Sequence, residues 1–339
     1  MTPEVSIVIV SWNGQHHLER CLNAVAAQLG VAAETILVDN GSTDGTAAYV
    51  REQFPWVRLV ELTANAGFAG GNNAGAREAR APLLALLNND TEAAPEWLLR
   101  LRGGLDEAAG VALVTSRVVY MDDPDVVDSA GDGMTRAGGA FKRGHGAASA
   151  DYAASCEVFG VSGAACLMPT AVFRDLGGFD EAFFASHEDV DLSYRARLRG
   201  YACRYVADAV VRHRGSATLG RMSPHGVFHG QRNLEWVYLK NTPRGILLRT
   251  LGSHLVYNAA AAVHFARSGL LGAFVRAKVA ALAGLPRVWR QRAAVQATAT
   301  PSAPAAIWAV MEPRWLGLKL REKRFDRRTR HAEKAAPHA

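Results

Sequence analysis

The chain reads VSIVIVSWN at residues 5–13 and LLALLNND at residues 83–90. Each stretch is a continuous apolar run that ends in polar residues, as is typical of a strand buried on both faces of a parallel sheet. A third run of this kind, TILVDN at 35–40, lies between them, and stretches with helical patterns separate the three. This alternation predicts an α/β fold with a mostly parallel central sheet and helices on both faces.

The composition is that of an ordinary globular protein and excludes several classes. Of the 339 residues, 49% are hydrophobic and 21% are charged, which is unlike a disordered, collagen-like or small disulfide-bonded protein. The four cysteines are far apart, without a Cys-x-x-Cys pair, so we expect reduced core residues rather than disulfides or zinc ligands. The N-terminal segment lacks the basic region of a signal peptide, and its apolar run is only about as long as a strand.

Charge is distributed unevenly along the chain. Residues 1–211 carry a formal net charge of −11, whereas residues 212–339 carry +17. A basic half of this kind could face nucleic acid or an anionic membrane, and composition alone does not choose between them. No pattern of an RNA-binding sheet or of a recognition helix is visible in the sequence, which disfavours nucleic acid.

Three stretches have the composition of connecting or terminal segments. Residues 131–146 are rich in glycine, which predicts a mobile loop. Residues 293–313 are rich in alanine, threonine, proline and serine, which predicts a linker. The residues beyond 313 are highly basic, which predicts a disordered or surface-bound tail.

Polar residues follow three of the predicted strands at the point where each strand ends. They are Ser11 and Asn13, Asp39 and Asn40, and the triplet Asn88, Asn89 and Asp90. Because ligands bind at the carboxyl ends of parallel strands, we expect one site there. Oxygen ligands such as the Asp90 carboxylate suit Mg²⁺ or Mn²⁺. Alternatively, Asp90 caps the helix near Pro95, and Asp39 caps the turn before Thr46.

A glycine cluster, an acidic pair and a histidine are further candidates. Glycines 67, 70, 71 and 75 could let the backbone approach a phosphate group, although their spacing is not that of a nicotinamide-binding loop. Glu188 and Asp189 precede a helical pattern, where they could cap the helix or supply a general base. His213 follows a predicted strand and could be a metal ligand or an ordinary surface histidine.

Seven segments of the chain read, in order, VSIVIVSWN, ILVDNGSTDGT, ANAGFAGGNN, LLALLNNDT, VSGAACLMP, FFASHEDVDLSYRARLRGY and VVRHRGSATLG. Together they resemble the family 2 glycosyltransferases, and more narrowly their rhamnosyltransferase-like branch. The resemblance extends over about residues 5–240 and implies the GT-A fold. It also implies an inverting transfer of a sugar from a nucleoside-diphosphate donor, with a divalent metal, Mg²⁺ or Mn²⁺, as the cofactor.

The resemblance implies roles for individual residues. Asp39 would recognise the nucleobase, and Asp90 would be the last carboxylate of the family's Asp-x-Asp motif and would hold the metal together with His213. The first carboxylate of that motif is an amide here, Asn88, which can still coordinate a metal, although more weakly. Asp189 would be the catalytic base, with Glu188 as the alternative. The remaining donor-side residues would be Ser11, Asn13, Asn40, Asn65, Gly67, Asn72 and Asn89, and the acceptor-side residues would be Ser162, Gly163 and Ala164.

The resemblance further implies how the chain is divided. A GT-A catalytic domain would span residues 1–240, with a nucleotide-binding half over 1–110 and an acceptor and catalytic half over 111–240. Amphipathic basic helices would follow over 241–292, and a linker and basic tail over 293–339.

For the substrates, the resemblance favours dTDP-L-rhamnose as the donor, with a UDP- or GDP-sugar as the alternative. The acceptor would be a hydroxyl of a glycan or lipid-linked glycan in the synthesis of a cell-surface polysaccharide. A less favoured alternative is a non-catalytic relative that binds a nucleotide or nucleic acid. The presence of Asp90, the 188–189 acidic pair and His213 disfavours such a loss of activity.

Residues 246–292 combine apolar residues at helical spacing with interleaved basic residues. Within this segment, the longest stretch without a charged residue, 250–266, is too short and too polar to span a bilayer. Basic amphipathic helices lie in the membrane interface and bind anionic lipid. Alternatively, these helices pack against the catalytic domain and keep a solvated basic face. We therefore expect a cytoplasmic enzyme that is peripheral on the inner face of the cytoplasmic membrane.

Overall fold

The computed structural model of the chain describes residues 2–215, residues 223–318 and Phe325. The last motif, VVRHRGSATLG, lies partly outside these residues, as does most of the predicted basic tail. In the first third of the chain, strands and helices alternate as the sequence pattern predicts. These elements are β1 Val5–Ser11, α1 Gln15–Ala26, β2 Ala33–Asp39, α2 Thr46–Gln53, β3 Arg58–Glu61, α3 Gly67–Glu78, β4 Leu83–Asn88, β5 Thr91–Ala93 and α4 Trp97–Gly104.

The middle of the chain completes the sheet, and the described part beyond it is helical. The middle elements are β6 Val111–Tyr120, β7 Val127–Ser129, β8 Asp132–Met134, β9 Ala140–Lys142, β10 Cys156–Val158, β11 Ala165–Pro169, α5 Thr170–Asp175, α6 Glu188–Leu198 and β12 Ala202–His213, with single 3-10 turns at Ser149–Tyr152 and Glu181–Phe183. The helices that follow are α7 Pro224–Asn241, α8 Arg244–Arg267, α9 Leu271–Ala283, α10 Leu285–Ala297 and α11 Ala303–Val310.

The central sheet is mixed but mostly parallel, which confirms the predicted fold class. Its main path runs β10–β12–β6–β11–β4–β1–β2–β3. β1 is parallel to both of its neighbours, with Val10 opposite Val38 of β2 and opposite Asn88 of β4. β11 is antiparallel to both β4 and β6 and separates the parallel set β4–β1–β2–β3 from the parallel pair β6–β12. The carboxyl ends of β1, β2 and β4 therefore meet at one edge.

The buried strands explain why their sequences are apolar on both faces. Ile7 and Ile9 of β1 pack into one core with residues of α1 and α4, whereas Val8 packs into a second core with residues of α3. All three side chains are fully buried. Because successive residues of a strand point to opposite faces, a strand between two helical layers has no solvated side. All four cysteines are free, and Cys21, Cys166 and Cys203 lie in these cores.

The predicted mobile loop over residues 131–146 is wrong, because this stretch contains the β8–β9 hairpin. Its glycines serve close packing. A Cβ at residue 133 would lie 2.2 Å from the Phe141 ring, and a Cβ at residue 139 would lie 2.8 Å from the Tyr257 ring. Gly138 at the turn has a φ of +80°, which side chains rarely adopt. Glycine is needed here for space and turn geometry, and composition alone does not distinguish that need from mobility.

The predicted linker over residues 293–313 is also wrong for most of its length. α10 extends to Ala297, and α11 occupies Ala303–Val310. Ala303 and Ile307 of α11 are buried in a third core. Alanine has the highest helix propensity, so a stretch rich in alanine that finds an apolar surface becomes a helix despite its flanking proline and serine.

The C-terminal helices pack directly on α6, the helix that begins with the acidic pair. The third core joins Tyr194 and Leu198 of α6 to Trp236 and Val237 of α7. Asp191 of α6 is fully buried, and Lys240 of α7 lies 2.7 Å from its carboxylate. These helices are therefore an integral layer of the domain on their inner side. None of the helices within the described ranges is long and apolar enough to cross a bilayer.

Candidate active site

The first part of the site forms where β1 and β4 end side by side. The Asn89 side-chain amide donates to Ser11 Oγ at 3.0 Å. Gly14, three residues after Ser11, makes this contact possible, because a Cβ at that position would lie 2.3 Å from Asn89 Nδ2. The structure thus brings together two of the residues that the strand-end argument selects.

The end of β2 joins the same edge through a network of turn hydrogen bonds. Asn13 Oδ1 accepts from the Thr43 backbone N–H at 2.8 Å, and the Asn13 N–H donates to Ser42 Oγ at 2.9 Å. Asp39 is buried, and its Oδ1 accepts from the Ser42 N–H at 3.0 Å. Asp44, and not Asp39, bonds the N–H of Thr46 at the start of α2. Asp39 therefore caps the turn that precedes Thr46, as the capping alternative describes, whereas Asp44 caps the start of α2 itself.

Asn40 holds the loop that precedes α3. Its Nδ2 donates to Asn65 Oδ1 and to the Gly67 carbonyl, both at 3.0 Å, and its Oδ1 accepts from the Ala66 N–H at 2.9 Å. Asn72 does not join this cluster, because its buried amide donates to the Phe68 carbonyl one turn earlier in α3. Three of the four predicted donor-side residues in this region are thus brought together.

Asp90 and His213 form a buried pair within the site. Asp90 Oδ1 lies 3.1 Å from His213 Nε2, and Asn88 Nδ2 lies 3.3 Å from the same nitrogen. Both Asp90 and His213 are buried, so His213 is not an ordinary surface histidine. β5 separates Asp90 from α4, whose N-cap residue is Glu96, so Asp90 does not cap that helix.

Asp128 of β7 is a functional candidate that the sequence argument missed. Its Oδ2 lies 2.8 Å from His213 Nδ1, and Lys142 Nζ donates to both of its carboxylate oxygens at 2.9 and 2.8 Å. Because Nδ1 faces Asp128, the Nε2 atom of His213 faces Asp90, an orientation that a carboxylate typically gives to a metal-binding histidine. A single acid in a three-residue strand has no sequence pattern that would reveal this role.

The charges around His213 shift three pKa values. Burial alone would lower the pKa of His213, but the hydrogen bonds that it donates to Asp128 and Asp90 outweigh burial and raise it to about 9. Burial would raise the pKa of Asp90, but the hydrogen bond and charge of His213 lower it. Asp128 is likewise buried, yet Lys142, His145 and His213 hold its pKa well below the ordinary value. Both carboxylates at this end of the site are therefore ionised at neutral pH.

Asp189 stands at the first turn of α6, facing the acceptor-side segment. Its Oδ2 accepts from the Gly163 N–H at 3.0 Å, and its Oδ1 accepts from the Val190 N–H at 2.8 Å. The next residue of that segment, Ala164, accepts from the Asn88 N–H at 2.9 Å. Glu188, in contrast, is buried, and its Oε2 has no hydrogen-bond partner among the described residues. Of the two acids, Asp189 is the half-buried one.

Asp132 of β8 is a second acid that the sequence argument missed. It is buried, its backbone pairs with Gly160 in both directions, and it lies close enough to Asp189 for the two charges to interact. Burial, and then the charge of Asp189, raise the pKa of Asp132 well above its ordinary value. Burial and Asp189 raise the pKa of Glu188 in the same way. Asp189 is thus flanked by two acids that retain their protons more readily than exposed carboxyls do.

A divalent metal held by Asp90 and His213 would replace the Nε2 proton that His213 donates to Asp90. Neighbouring ligands of an octahedral Mg²⁺ or Mn²⁺ lie about 3 Å apart, and Asp90 Oδ1 and His213 Nε2 are 3.1 Å apart. A group of three or more His, Cys, Asp or Glu side chains placed to hold a metal is absent from the described part of the chain. The protein would therefore supply part of a coordination shell, and water or substrate phosphate would complete it, as is usual for Mg²⁺.

The sequence comparisons indicate one family, and two solved structures share the fold. A sequence model of the family "Glycosyl transferase family 2" matches residues 6–169. The N-acetylglucosaminyl-diphospho-decaprenol L-rhamnosyltransferase of Mycobacterium tuberculosis is 30% identical over 292 residues, covering 76% of this chain and 94% of that protein. The mannosyltransferase PcManGT from Pyrobaculum calidifontis, solved with GDP-Man and Mn²⁺, has a TM-score of 0.54 at 20% identity, over 88% of this chain and 86% of that chain. GalNAc-T7, solved with UDP, GalNAc and Mn²⁺, has a TM-score of 0.55 at 16% identity, over 70% of this chain and 48% of that chain.

The interaction between Asp132 and Asp189 leads to a prediction for stability. Since the pKa of Asp132 is raised in the folded state, its contribution to stability is complete below its unfolded pKa and is lost as the pH rises through its folded pKa. Asparagine does not titrate, so Asp132→Asn should lose less unfolding free energy than the wild type between pH 5 and pH 8. The slopes of unfolding free energy against pH should differ between the two proteins by up to about 1.4 kcal/mol per pH unit, the limit for one proton.

Urea unfolding at several pH values measures these slopes. Asp122→Asn, at an exposed position, is the matched control and should follow the wild type. Parallel slopes for wild type and Asp132→Asn would contradict the assignment of a retained proton to Asp132.

Proposed function

Because this chain belongs to family 2 of the glycosyl transferases, we propose that it transfers a sugar from a nucleoside-diphosphate donor to a hydroxyl of a lipid-linked glycan. The relative from M. tuberculosis is named as an L-rhamnosyltransferase of N-acetylglucosaminyl-diphospho-decaprenol. That name supports L-rhamnose as the sugar and a polyprenyl-diphosphate glycan as the acceptor class, and dTDP-L-rhamnose is the first donor to test. A UDP- or GDP-sugar is the alternative donor.

One observation carries the proposal: a held carboxylate lies within a short chain of contacts from the Asp90–His213 pair. Asp189 accepts from Gly163, the adjacent Ala164 accepts from Asn88, and Asn88 lies beside His213. A transfer reaction needs a base for the acceptor hydroxyl and a positive group for the leaving diphosphate, at neighbouring positions. In this arrangement Asp189 would be the base, and a metal held by Asp90 and His213 would be the positive group.

Asp189 is the base in this proposal. It would take the proton of the acceptor hydroxyl while the hydroxyl oxygen bonds to the anomeric carbon and the bond from that carbon to the diphosphate oxygen breaks. The two backbone N–H groups that donate to its carboxylate orient Asp189. Glu188 is buried and lies deeper than Asp189, so it is less able to reach a substrate hydroxyl.

On the donor side, the residues at the ends of β1, β2 and β4 would line the nucleotide pocket. Asp39 would recognise the nucleobase from the end of β2, where it bonds the Ser42 turn. Asp90 and His213 would hold a divalent metal on the diphosphate. Bound there, the metal would stabilise the negative charge that develops on the leaving group.

The base assignment predicts that Asp189→Asn abolishes most of the transfer. A positioned general base contributes roughly 10²–10⁴ to the rate, so kcat should fall by about that factor, while the affinity for the nucleoside diphosphate changes by less than a few-fold. Transfer assays with nucleotide-sugar donors and isothermal titration with the diphosphates measure the two effects.

Two controls accompany this experiment. Asp208→Asn, at an exposed position of β12, should retain wild-type turnover. Near-normal turnover in Asp189→Asn, together with a large loss in Glu188→Gln, would move the role to Glu188. If the wild type transfers no sugar from any dTDP-, UDP- or GDP-linked donor, the proposed function itself is wrong.

The metal assignment predicts that Asp90→Ala binds Mn²⁺ at least ~10-fold more weakly than the wild type, because one of two protein ligands is lost. Electron paramagnetic resonance of free Mn²⁺ measures this affinity without any substrate. Asp122→Ala, which removes an exposed carboxylate, should leave it unchanged. Equal Mn²⁺ affinity in all three proteins, or full transfer activity in EDTA, would contradict the role of Asp90.

Membrane association through the C-terminal helices is a second part of the proposal. The outer faces of α8 and α9 are apolar, since nine of their large aliphatic side chains are exposed: Leu248, Leu251, Leu255, Val256, Val263, Leu271, Val275, Val279 and Leu282. On each helix, most of these residues recur at intervals of three or four and therefore lie on one face. Exposed aliphatic residues clustered on one face of a helix are typical of an interaction site.

The charge of the surrounding chain favours an anionic lipid surface as the occupant. Residues 236–311 contain nine Arg or Lys residues and no Asp or Glu. A second copy of this chain would bring the same positive charge to the interface and would be repelled, whereas anionic lipid would be attracted. A lipid-linked acceptor lies at the same surface.

Several of the basic residues expected at the membrane bind within the protein instead. Lys278 bonds Glu235 at 2.6 Å, Arg287 bonds Asp180 at 3.1 Å, and Arg292 donates to the Leu239 and Thr242 carbonyls at 2.6 and 2.8 Å. Arg267, Arg276 and Arg290 stay exposed. Lys278, Arg287 and Arg292 therefore stabilise the packing of these helices on the domain. The exposed aliphatic residues of α8 and α9 would contribute more to membrane affinity than the remaining exposed cations do.

We therefore expect the protein to sediment with vesicles that contain phosphatidylglycerol and less with pure phosphatidylcholine. Exposed cations contribute ~1 kcal/mol each at most, and salt screens them over about 8 Å, so high salt should weaken the binding without abolishing it. The double variant Leu255→Ser and Val279→Ser should bind about 10-fold or more weakly, because each exchange removes apolar area that leaves water on insertion.

Leu29→Ser is the control, since Leu29 is exposed outside these helices, and it should bind as the wild type does. Absence of vesicle binding by the wild type would contradict membrane docking. A concentration-dependent dimer that the double variant abolishes would instead assign the apolar face to a second copy.

A further inference from the structure

The segment directly before the proposed base has an unusual backbone. Phe184, Ser186 and His187 have φ values of +64°, +75° and +70°, and the only other non-glycine residue with positive φ in the described parts of the chain is Asn13. At Phe184, ψ is −65° and the Ala185 N–H donates to the Phe183 carbonyl at 2.8 Å, which forms a γ-turn of the rare, strained kind. Residues with side chains keep such a conformation only where their surroundings enforce it.

Asn233 of α7 supplies much of this enforcement. It is fully buried, and its Nδ2 shares its two hydrogens among the carbonyls of Phe183 and Ala185 at 2.9 Å and of Ser186 at 2.7 Å. A single side-chain amide thus gathers three carbonyls of the segment around one nitrogen. An extended or helical segment would not present three carbonyls at one point, so these bonds favour the strained conformation over the relaxed one.

Arg232 adds a second set of bonds next to Asn233. Its Nη2 donates to the Ala182 and Phe183 carbonyls, both at 3.0 Å, and its Nε donates to Asn233 Oδ1 at 2.9 Å. The last of these bonds fixes the orientation of the Asn233 amide, so that Nδ2 faces the segment. Two consecutive residues of α7 therefore hold the backbone over residues 182–186.

The same segment also contacts the donor-side loop. The Phe184 carbonyl accepts from the Ala69 N–H at 3.1 Å. The Phe184 ring lies so close to Gly67 that a Cβ there would be 2.6 Å from it, and its other side stacks on His229 of α7 with 5.2 Å between ring centroids. Phe184 thus lies between the start of α3 and α7, five residues before Asp189.

We infer that Asn233 is a positioning residue for Asp189: by holding residues 183–186 in their strained conformation, it fixes the start of α6 relative to the donor-side loop. The inference rests on the proposed function for the role of Asp189. Loss of the amide lets Phe184, Ser186 and His187 relax toward negative φ, which displaces the first turn of α6. A displacement of about 1 Å of a catalytic group costs up to 10²-fold in rate.

The test replaces Asn233 with Ser, which removes the three bonds, and compares it with Asn258→Ser. Asn258 lies on α8, and its amide bonds His254, away from the segment. We expect kcat to fall ~10- to 100-fold in Asn233→Ser, with the donor KM and the nucleoside diphosphate affinity within about 3-fold of the wild type. Asn258→Ser should keep kcat within about 2-fold. A purely structural loss would lower the folded fraction and leave kcat per folded molecule unchanged.

A second measurement does not depend on transfer. Hydrogen–deuterium exchange of the amides over residues 183–189 should accelerate at least ~10-fold in Asn233→Ser and remain unchanged in Asn258→Ser. If Asn233→Ser does not fold, Arg232→Met provides the same test at a half-buried position, with smaller effects in the same direction.

The outcomes separate the two proposals. Unchanged exchange over residues 183–189 in Asn233→Ser or Arg232→Met overturns the positioning role, as does a loss of kcat that the two Asn variants share equally. If the wild type transfers no sugar but exchange over residues 183–189 accelerates in Asn233→Ser, Asn233 still holds this segment and the proposed function is wrong.

Discussion

The parallel pairing of β1 with β4 is the constraint on which the rest of the site depends. With Val10 opposite Asn88, both strands stop at the same level, so the residues that follow them meet. Asn89 reaches Ser11, the Asn88 backbone bonds Ala164, and the Asn88 side chain lies beside His213. A shift of one residue in this register would turn every one of these side chains to the other face of the sheet. The register thus determines which polar groups share the site.

Electrostatics divide the acids of this site into two groups with opposite behaviour. Around His213, the carboxylates of Asp90 and Asp128 have cationic partners, and their pKa values are lowered despite burial. Around Asp189, the buried acids Asp132 and Glu188 face another acid, and their pKa values are raised. One end of the site therefore holds acids whose pKa values cationic partners lower, and the other holds acids whose pKa values are raised beside Asp189. Environments that separate the pKa values of neighbouring acids are a common basis for dividing catalytic roles.

The parts of the fold and site that the sequence predicts are those with a local signal. Buried parallel strands are continuous apolar runs, and the polar residues that end them, such as Asp39 and Asp90, follow directly in the sequence. Asp128 and Asp132 could not be predicted, because they lie in three-residue strands and the residues that give them a role, His213 and Asp189, are distant in the sequence. The same holds for the glycines of the β8–β9 hairpin and for α11, whose conformations depend on partners such as Tyr257 and the third core. The strained conformation at Phe184 depends on Asn233 of α7, which is some fifty residues away in the chain.

The sequence leaves two alternatives open for the C-terminal helices, packing against the catalytic domain and binding to a membrane, and these concern different sides of the helices. Their inner side contributes buried bonds to α6, including those from Lys240 and Asn241 to Asp191. Their outer side on α8 and α9 exposes aliphatic residues within a stretch that has no acidic residue. Packing and membrane docking therefore make demands on different faces of the same helices and do not compete. Because α8 also contacts the β8–β9 hairpin through His254 and Tyr257, the layer that would meet the lipid is joined by direct packing to the strand that carries Asp132. A bilayer bound at the outer face would thus lie one helix layer from the acids around Asp189, which is the arrangement that a lipid-linked acceptor requires.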